Sequence, residues 1–181
     1  MSLTEEQAMF AETAAQFAAE QLRPNAQKYD HEKYLDRDVF LALGALGFGG
    51  IYVREESGGS GLGRLDAVLI FEQLSKGCVS HATFLSIHNM STAMIDRYGS
   101  DAMRARFLPK LISCEHLASY CLTEPNAGSD AGSLRTSAKR DGDHYVLNGT
   151  KVFISGGGFS DIYVVMARTG DNGPKGISAF V

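Results

Sequence analysis

The sequence predicts an α+β protein: an N-terminal helical bundle domain followed by part of an antiparallel β domain. Two observations carry this. Apolar residues recur at helical spacing up to about residue 115, with capping signals between the runs. From Leu117 onward, short apolar stretches alternate with turn residues. At 181 residues and 44% apolar content, the chain can bury a core in one domain or two small ones. The helical domain is placed at 1–115 and the first part of the β domain at 116–181.

The helices follow from their caps. Thr4-Glu5-Glu6-Gln7 has the form of a capping box, and Ala8, Ala11, Phe17, Ala18 and Leu22 continue at helical spacing until Pro24. Asp36 starts a second helix, with Val39, Phe40, Leu43 and Leu46 inward and Gly47 as its stop. A glycine-rich loop through Gly63 leads to a third helix carrying Leu65, Val68, Leu69, Phe71 and Leu74. Ser80 caps a fourth, with Phe84, Leu85, Ile87, Met90, Met94 and Ile95. Ser100 caps a fifth, which Pro109 interrupts.

The strands follow from their turns. Residues 119–123, 133–140, 144–147, 151–155, 161–168 and 176–181 are short and strand-like. Asn148-Gly149, between 144–147 and 151–155, is the strongest hairpin signal, since a type I′ turn needs positive φ at both central residues. The last strand reaches Val181 without a turn or polar tail, so the chain is expected to be a piece of something longer.

Composition excludes several classes. A net charge of −4 without a basic run argues against a nucleic-acid surface, and no apolar run approaches the ~18 residues of a membrane span. Three scattered cysteines, Cys78, Cys114 and Cys121, fit a reducing compartment. Cys78-Val79-Ser80-His81 and Cys114-Glu115-His116 lack a second half with zinc spacing, and no metal is expected. Met1-Ser2-Leu3-Thr4-Glu5-Glu6 resembles neither a signal peptide nor an Arg-rich transit peptide. There is no Gly-x-Gly-x-x-Gly, no phosphate-binding Gly-Lys-Ser/Thr and no Gly-x-Ser-x-Gly.

One stretch stands apart: Tyr120-Cys121-Leu122-Thr123-Glu124-Pro125-Asn126-Ala127-Gly128-Ser129-Asp130. A strand ends in a hydroxyl, and a Pro turn leads to small residues. Small residues let backbone amides approach a ligand, and Ser and Thr add donors. An ordinary polar turn and a cradle for a flat heterocycle with a pyrophosphate tail are both consistent with these residues.

This stretch resembles the signature of the acyl-CoA dehydrogenase family. Tyr98-Gly99-Ser100-Asp101 with 106–111 resembles the helix before that signature, and 148–155 resembles a second flavin-contacting segment. The resemblance covers the whole chain but about the first half of a full-length member. The stretches 153–155, 160–166 and 173–178 look most like a subgroup acting on short branched acyl-CoA.

The resemblance implies FAD and a missing C-terminal helical domain. It places Tyr120, Leu122, Thr123, Gly128, Ser129, Phe153, Ile154 and Ser155 at the cofactor: Thr123 on the pyrimidine side, Gly128 and Ser129 at the pyrophosphate, Ser155 near N5. Ser129, Leu85, Asn89 and Met90 are placed at the acyl-CoA, with Ile87 and Ser91 beside them; Glu124 and Asp130 are read as loop-fixing acceptors. The implied reaction is α,β-dehydrogenation, with the α-proton removed by a Glu beyond residue 181 and the β-hydride passed to flavin N5. No residue of this chain is assigned as catalytic, and the chain alone is expected to be inactive. Electron-transfer flavoprotein as oxidant and a homotetramer are implied, in the bacterial cytoplasm, or in the mitochondrial matrix if a leader has been removed. An acyl-CoA oxidase or flavin monooxygenase of the same fold, and a non-catalytic flavin- or CoA-binding module, are the alternatives. The sequence departs from the family pattern at Cys114 and Asn126, where Gly is common, and at Phe153, where Trp is commoner.

Overall fold

The computed structural model describes residues 3–181; Met1 and Ser2, within the first domain as read above, lie outside the described residues. The chain divides into two compact units, one ending at His116 and the other spanning Leu117–Val181.

The first unit is helical. Helix α1 is Glu5–Phe17, and the Thr4 capping box is formed as expected, with reciprocal bonds between Thr4 and Gln7. Pro24 does not end the helical path. It sits in a 3₁₀ turn, Arg23–Asn25, where its missing N–H costs little, and α2 (Ala26–Glu32) follows directly. Asp36 caps α3 (Arg37–Ala45) by accepting from Asp38 N. Gly47 leaves it in the left-handed region at φ 81°. Leu46, expected inward, is exposed, because the helix has ended at Ala45.

Helix α4 is Arg64–Gly77, with its buried face on Ala67, Ile70 and Leu74, while Leu65 and Val68 stand in solvent. Helix α5, Val79–Tyr98, starts one residue before Ser80, so Cys78 rather than Ser80 holds the cap position. Ser100 caps α6, Asp101–Ile112, through Met103 N, and Pro109 lies inside this helix rather than interrupting it. Phe40, Phe84, Leu85, Leu108 and Leu111 are among the side chains that fill the core.

The second unit is a five-stranded sheet: β1 (Ala118–Cys121), β2 (Ser137–Asp141), β3 (His144–Asn148), β4 (Ile162–Arg168) and β5 (Ile177–Phe180). It is mixed, which corrects the antiparallel expectation. β2–β3 and β4–β5 are antiparallel, but β1 and β2 both pair with β4 in parallel. Those parallel partners lie far apart in sequence, so no turn signal announces them.

The hairpin is also displaced. Gly142-Asp143 joins β2 to β3, and 149–155 is not a strand. Asn148-Gly149 forms no turn because Gly149 passes directly over Thr136: a Cβ there would lie 2.6 Å from Thr136 Cα. Close backbone approach, not turn conformation, is what this glycine serves. The run 133–140, expected as one strand, splits into a 3₁₀ turn at Ala131–Ser133 and β2.

Candidate functional site

The signature loop leaves the end of β1 and is closed at once by a reciprocal backbone pair. Glu124 N donates to Ala127 O at 3.0 Å and Ala127 N to Glu124 O at 3.1 Å. Asn126 is not among the positive-φ residues, so Asn in place of Gly strains nothing there. Cys114 does have positive φ (57°), and its position is one the family commonly gives to Gly.

The segment 151–161 runs back along β1 and is stitched to it at each step. Val152 N donates to Thr123 O (2.9 Å), and Lys151 Nζ donates to Leu122 O (2.9 Å). Ser119 Oγ donates to Ser155 O (2.6 Å) and lies 2.7 Å from Ser160 Oγ. Asp161 N and Ile162 N both donate to Leu117 O, and Leu117 N donates to Asp161 Oδ2 (2.9 Å). Two stretches that are separate in sequence, 120–129 and 151–155, therefore lie side by side.

Glu124 is the loop-fixing acceptor expected of it. Its carboxylate takes Arg135 N (2.6 Å), Thr136 N (2.8 Å) and Lys151 Nζ (2.8 Å). Burial pushes its pKa up, but the Lys151 ammonium and the Thr136 and Arg135 donors outweigh burial and hold it at about 2. Asp130, the other acceptor, takes Ser133 Oγ. Arg168 then gathers the loops beyond: its guanidinium donates to Gly132 O, Leu134 O, Asp171 O and Gly173 O.

The presented surface is unusual in one respect. Phe153 is 93% exposed, and its φ is 56°. A bulky side chain in the left-handed region costs on the order of 1–2 kcal/mol, and here no burial of the ring compensates. Gly128 and Ser129 are exposed, and a Cβ on Gly128 would meet nothing within 4 Å. Tyr120, Leu122, Thr123, Ile154 and Ser155 are half-buried. All eight residues read as cofactor-binding thus belong to this one unit.

The acyl-side candidates divide. Leu85 is fully buried in the core. Asn89 is buried and wholly occupied: its Oδ1 accepts from Ile51 N (2.7 Å), and its Nδ2 donates to Phe48 O (2.8 Å) and Leu85 O (3.0 Å). Met90, one position on, lines a cleft of about 520 Å³ with Met94, Tyr52, Arg54 and Arg64. Leu85 and Asn89 are four apart and share the core face of α5; Met90 is turned about 100° away. That cleft holds a polar cluster sequence reasoning missed. Asp96, 3% exposed at its side chain, accepts from Arg54 Nε (2.9 Å), Arg54 N (3.2 Å) and Ser57 Oγ (2.6 Å).

The Cys78–His81 pair is held in the helical unit, whereas Cys114 lies against His88 rather than His116, its sulfur 3.8 Å from His88 Nε2. Asp36 N donates to His81 Nε2 (3.1 Å), so the ring proton is on Nδ1, aimed at Cys78 Sγ 3.2 Å away. Among the described residues no group of three or more His, Cys, Asp or Glu is placed to hold a metal, and no helix is long and apolar enough to cross a membrane.

The chain is thus an α+β protein of two units, and its mixed-sheet unit carries an open, small-residue loop beside a strained, exposed aromatic. Family comparison specifies it. Residues 4–115 match the acyl-CoA dehydrogenase N-terminal domain and residues 119–181 the acyl-CoA dehydrogenase middle domain, and the chain belongs to the acyl-CoA dehydrogenase family. It is 57% identical to a protein named isobutyryl-CoA dehydrogenase, mitochondrial, of Dictyostelium discoideum, over 100% of this chain and 44% of that one. The structure of butyryl-CoA dehydrogenase from Megasphaera elsdenii matches with a TM-score of 0.91 at 36% identity, over 99% of this chain and 49% of that one. An FAD complex of PigA matches with a TM-score of 0.92 at 31% identity, over 99% of this chain and 48% of that one. The chain spans about half the length of the curated relatives it matches.

Proposed function

We propose that this chain forms the flavin-flanking half of an FAD-dependent acyl-CoA dehydrogenase that acts on a short, branched acyl-CoA. The observation that carries the reading is the strained, exposed Phe153 held beside the open 120–129 loop. Such strain persists where surrounding structure enforces it, typically at a ligand. The 57% identity to an isobutyryl-CoA dehydrogenase supports the branched substrate.

The residues present fit FAD. Phe153 offers a ring face, Tyr120, Leu122, Thr123 and Ile154 a wall, Gly128 and Ser129 small-residue donors for the pyrophosphate, and Ser155 a hydroxyl at the ring's edge. When bound, FAD supplies the two-electron acceptor for the hydrogen leaving the β-carbon. The chain's own residues orient and desolvate; Ser129 and Met90 are assigned to the acyl-CoA side. No residue here is assigned as the base that removes the α-proton. Electron-transfer flavoprotein as oxidant, a homotetrameric assembly, and a mitochondrial-matrix or bacterial-cytoplasmic setting complete the proposal.

The test is turnover by the full gene product with isobutyryl-CoA and straight-chain butyryl-CoA, using a dye acceptor. FAD-dependent dehydrogenation with isobutyryl-CoA preferred is the expected result. Oxygen consumption stoichiometric with substrate would point to an oxidase instead, and a colourless protein that ignores added FAD would overturn the reading.

A further inference from the structure

The geometry points to Ser119, with Ser160 behind it, as a positioning residue that sets where Ser155 and its segment sit against the signature loop. This rests on the reading of that segment as flavin-facing.

The direction of the hydrogen bonds can be deduced. Ser119 Oγ lies 2.6 Å from the carbonyl oxygen of Ser155, which has no proton to give, so Ser119 spends its single O–H there. Ser160 Oγ, 2.7 Å from Ser119 Oγ, must then be the donor between the two hydroxyls. The order is Ser160 O–H to Ser119 O–H to Ser155 C=O. In such a chain each bond polarises the next.

Its placement makes it more than a local bond. Ser119 is fully buried in β1, one residue before Tyr120. Ser160 closes the turn that follows Ser155, with its backbone N donating to Gly156 O (2.9 Å). Both ends of the 155–160 turn therefore converge on one buried hydroxyl. Lys151 and Val152 fix the start of the segment at Leu122 and Thr123, but between Val152 and Gly157 the bond from Ser119 is what ties the backbone to β1. Alanine at 119 would fit the space and leave the Ser155 carbonyl without its donor.

The full gene product tests this as Ser119→Ala, Ser160→Ala and Ser119→Thr, with Ser137→Ala, a serine of β2 outside the segment, as control. Without added cofactor, amide hydrogen exchange over 151–160 is expected to quicken about tenfold in Ser119→Ala and less in Ser160→Ala. With FAD, the dissociation constant is expected to rise about five- to tenfold in Ser119→Ala, with a shift of the visible flavin band. Ser119→Thr, which keeps the hydroxyl, should return both readouts toward the parent, and Ser137→Ala should leave them unchanged. Parent-like exchange and parent-like FAD affinity in Ser119→Ala would overturn the assignment, as would loosening spread evenly through the unit with an unchanged spectrum. Should Ser119→Ala not fold, Ser160→Ala is read by the same criteria. A parent that never takes up FAD would defeat the flavin reading itself, and it is distinguished from the other failures because it precedes any substitution.

Discussion

Lys151 Nζ donates to Glu124 Oε1 at 2.8 Å across 27 residues of sequence, and both side chains are nearly closed off from solvent, at 11% and 7% exposure. The pair joins the loop after β1 to the segment that carries Phe153. Lys151→Met should leave the Glu124 carboxylate buried with backbone donors alone, at a cost of about 3 kcal/mol. Lys151→Met combined with Glu124→Gln should recover part of that loss, because no unpaired charge remains. Urea unfolding of the three variants checks the order; a double variant less stable than Lys151→Met would contradict it.

Phe153→Gly separates fold from ligand. Glycine accepts φ 56° without strain, and the ring it removes is almost fully exposed. The variant is expected to be as stable as the parent or up to about 1 kcal/mol more stable, while FAD binds more weakly. Thermal melts of the apo protein and cofactor titration give the two numbers.

Acid should act on the helical unit first. Burial holds His81 down at about 4, and it does the same for His88 against the opposing pull of the Leu111 and Gly49 carbonyls. Because the folded pKa of each is below the unfolded 6.5, the stability is complete above pH 6.5 and is lost as pH falls toward 4. Each ring contributes about 3 kcal/mol over that window. Protonating His81 also places an N–H against the Asp36 N–H. Asp96, held at about 2 chiefly by its hydrogen bond from Arg54, adds its loss below about pH 4, and Glu124 adds its own below about pH 4.5. His81→Gln should flatten the slope of the urea midpoint between pH 6.5 and 4.5.

Gly149→Ala should destabilise the sheet unit by about 1–3 kcal/mol, since the new methyl meets the Thr136 backbone. Gly128→Ala, with nothing within 4 Å of the added carbon, should be neutral for stability. Circular dichroism melts distinguish the two.

Much of the helical unit was legible because its signals are local. Thr4, Asp36 and Ser100 each cap the helix they announce, using atoms two or three residues away. The sheet was less legible because its decisive pairings are distant. The Asn148-Gly149 dipeptide carries a strong turn signal, yet its glycine answers to Thr136, a neighbour in space. The signature residues stand out in the sequence through their family pattern, whereas Ser119, Ser160 and the Arg54–Asp96 cluster do not. A buried serine reads in sequence like any other small residue of a strand. On α5, Asn89 and Met90 are adjacent in sequence, yet Asn89 packs into the core while Met90 lines a cleft, a difference of angle that sequence order does not display.

The parallel pairing of Ala118 with Ile162 also orders events during synthesis. β1 is made and emerges ahead of β4, so its hydrogen-bonding edge has no partner strand until the intervening chain has followed. A nascent chain stalled in that interval would expose a sticky ribbon to its neighbours, and a chaperone bound there would have a defined moment to let go.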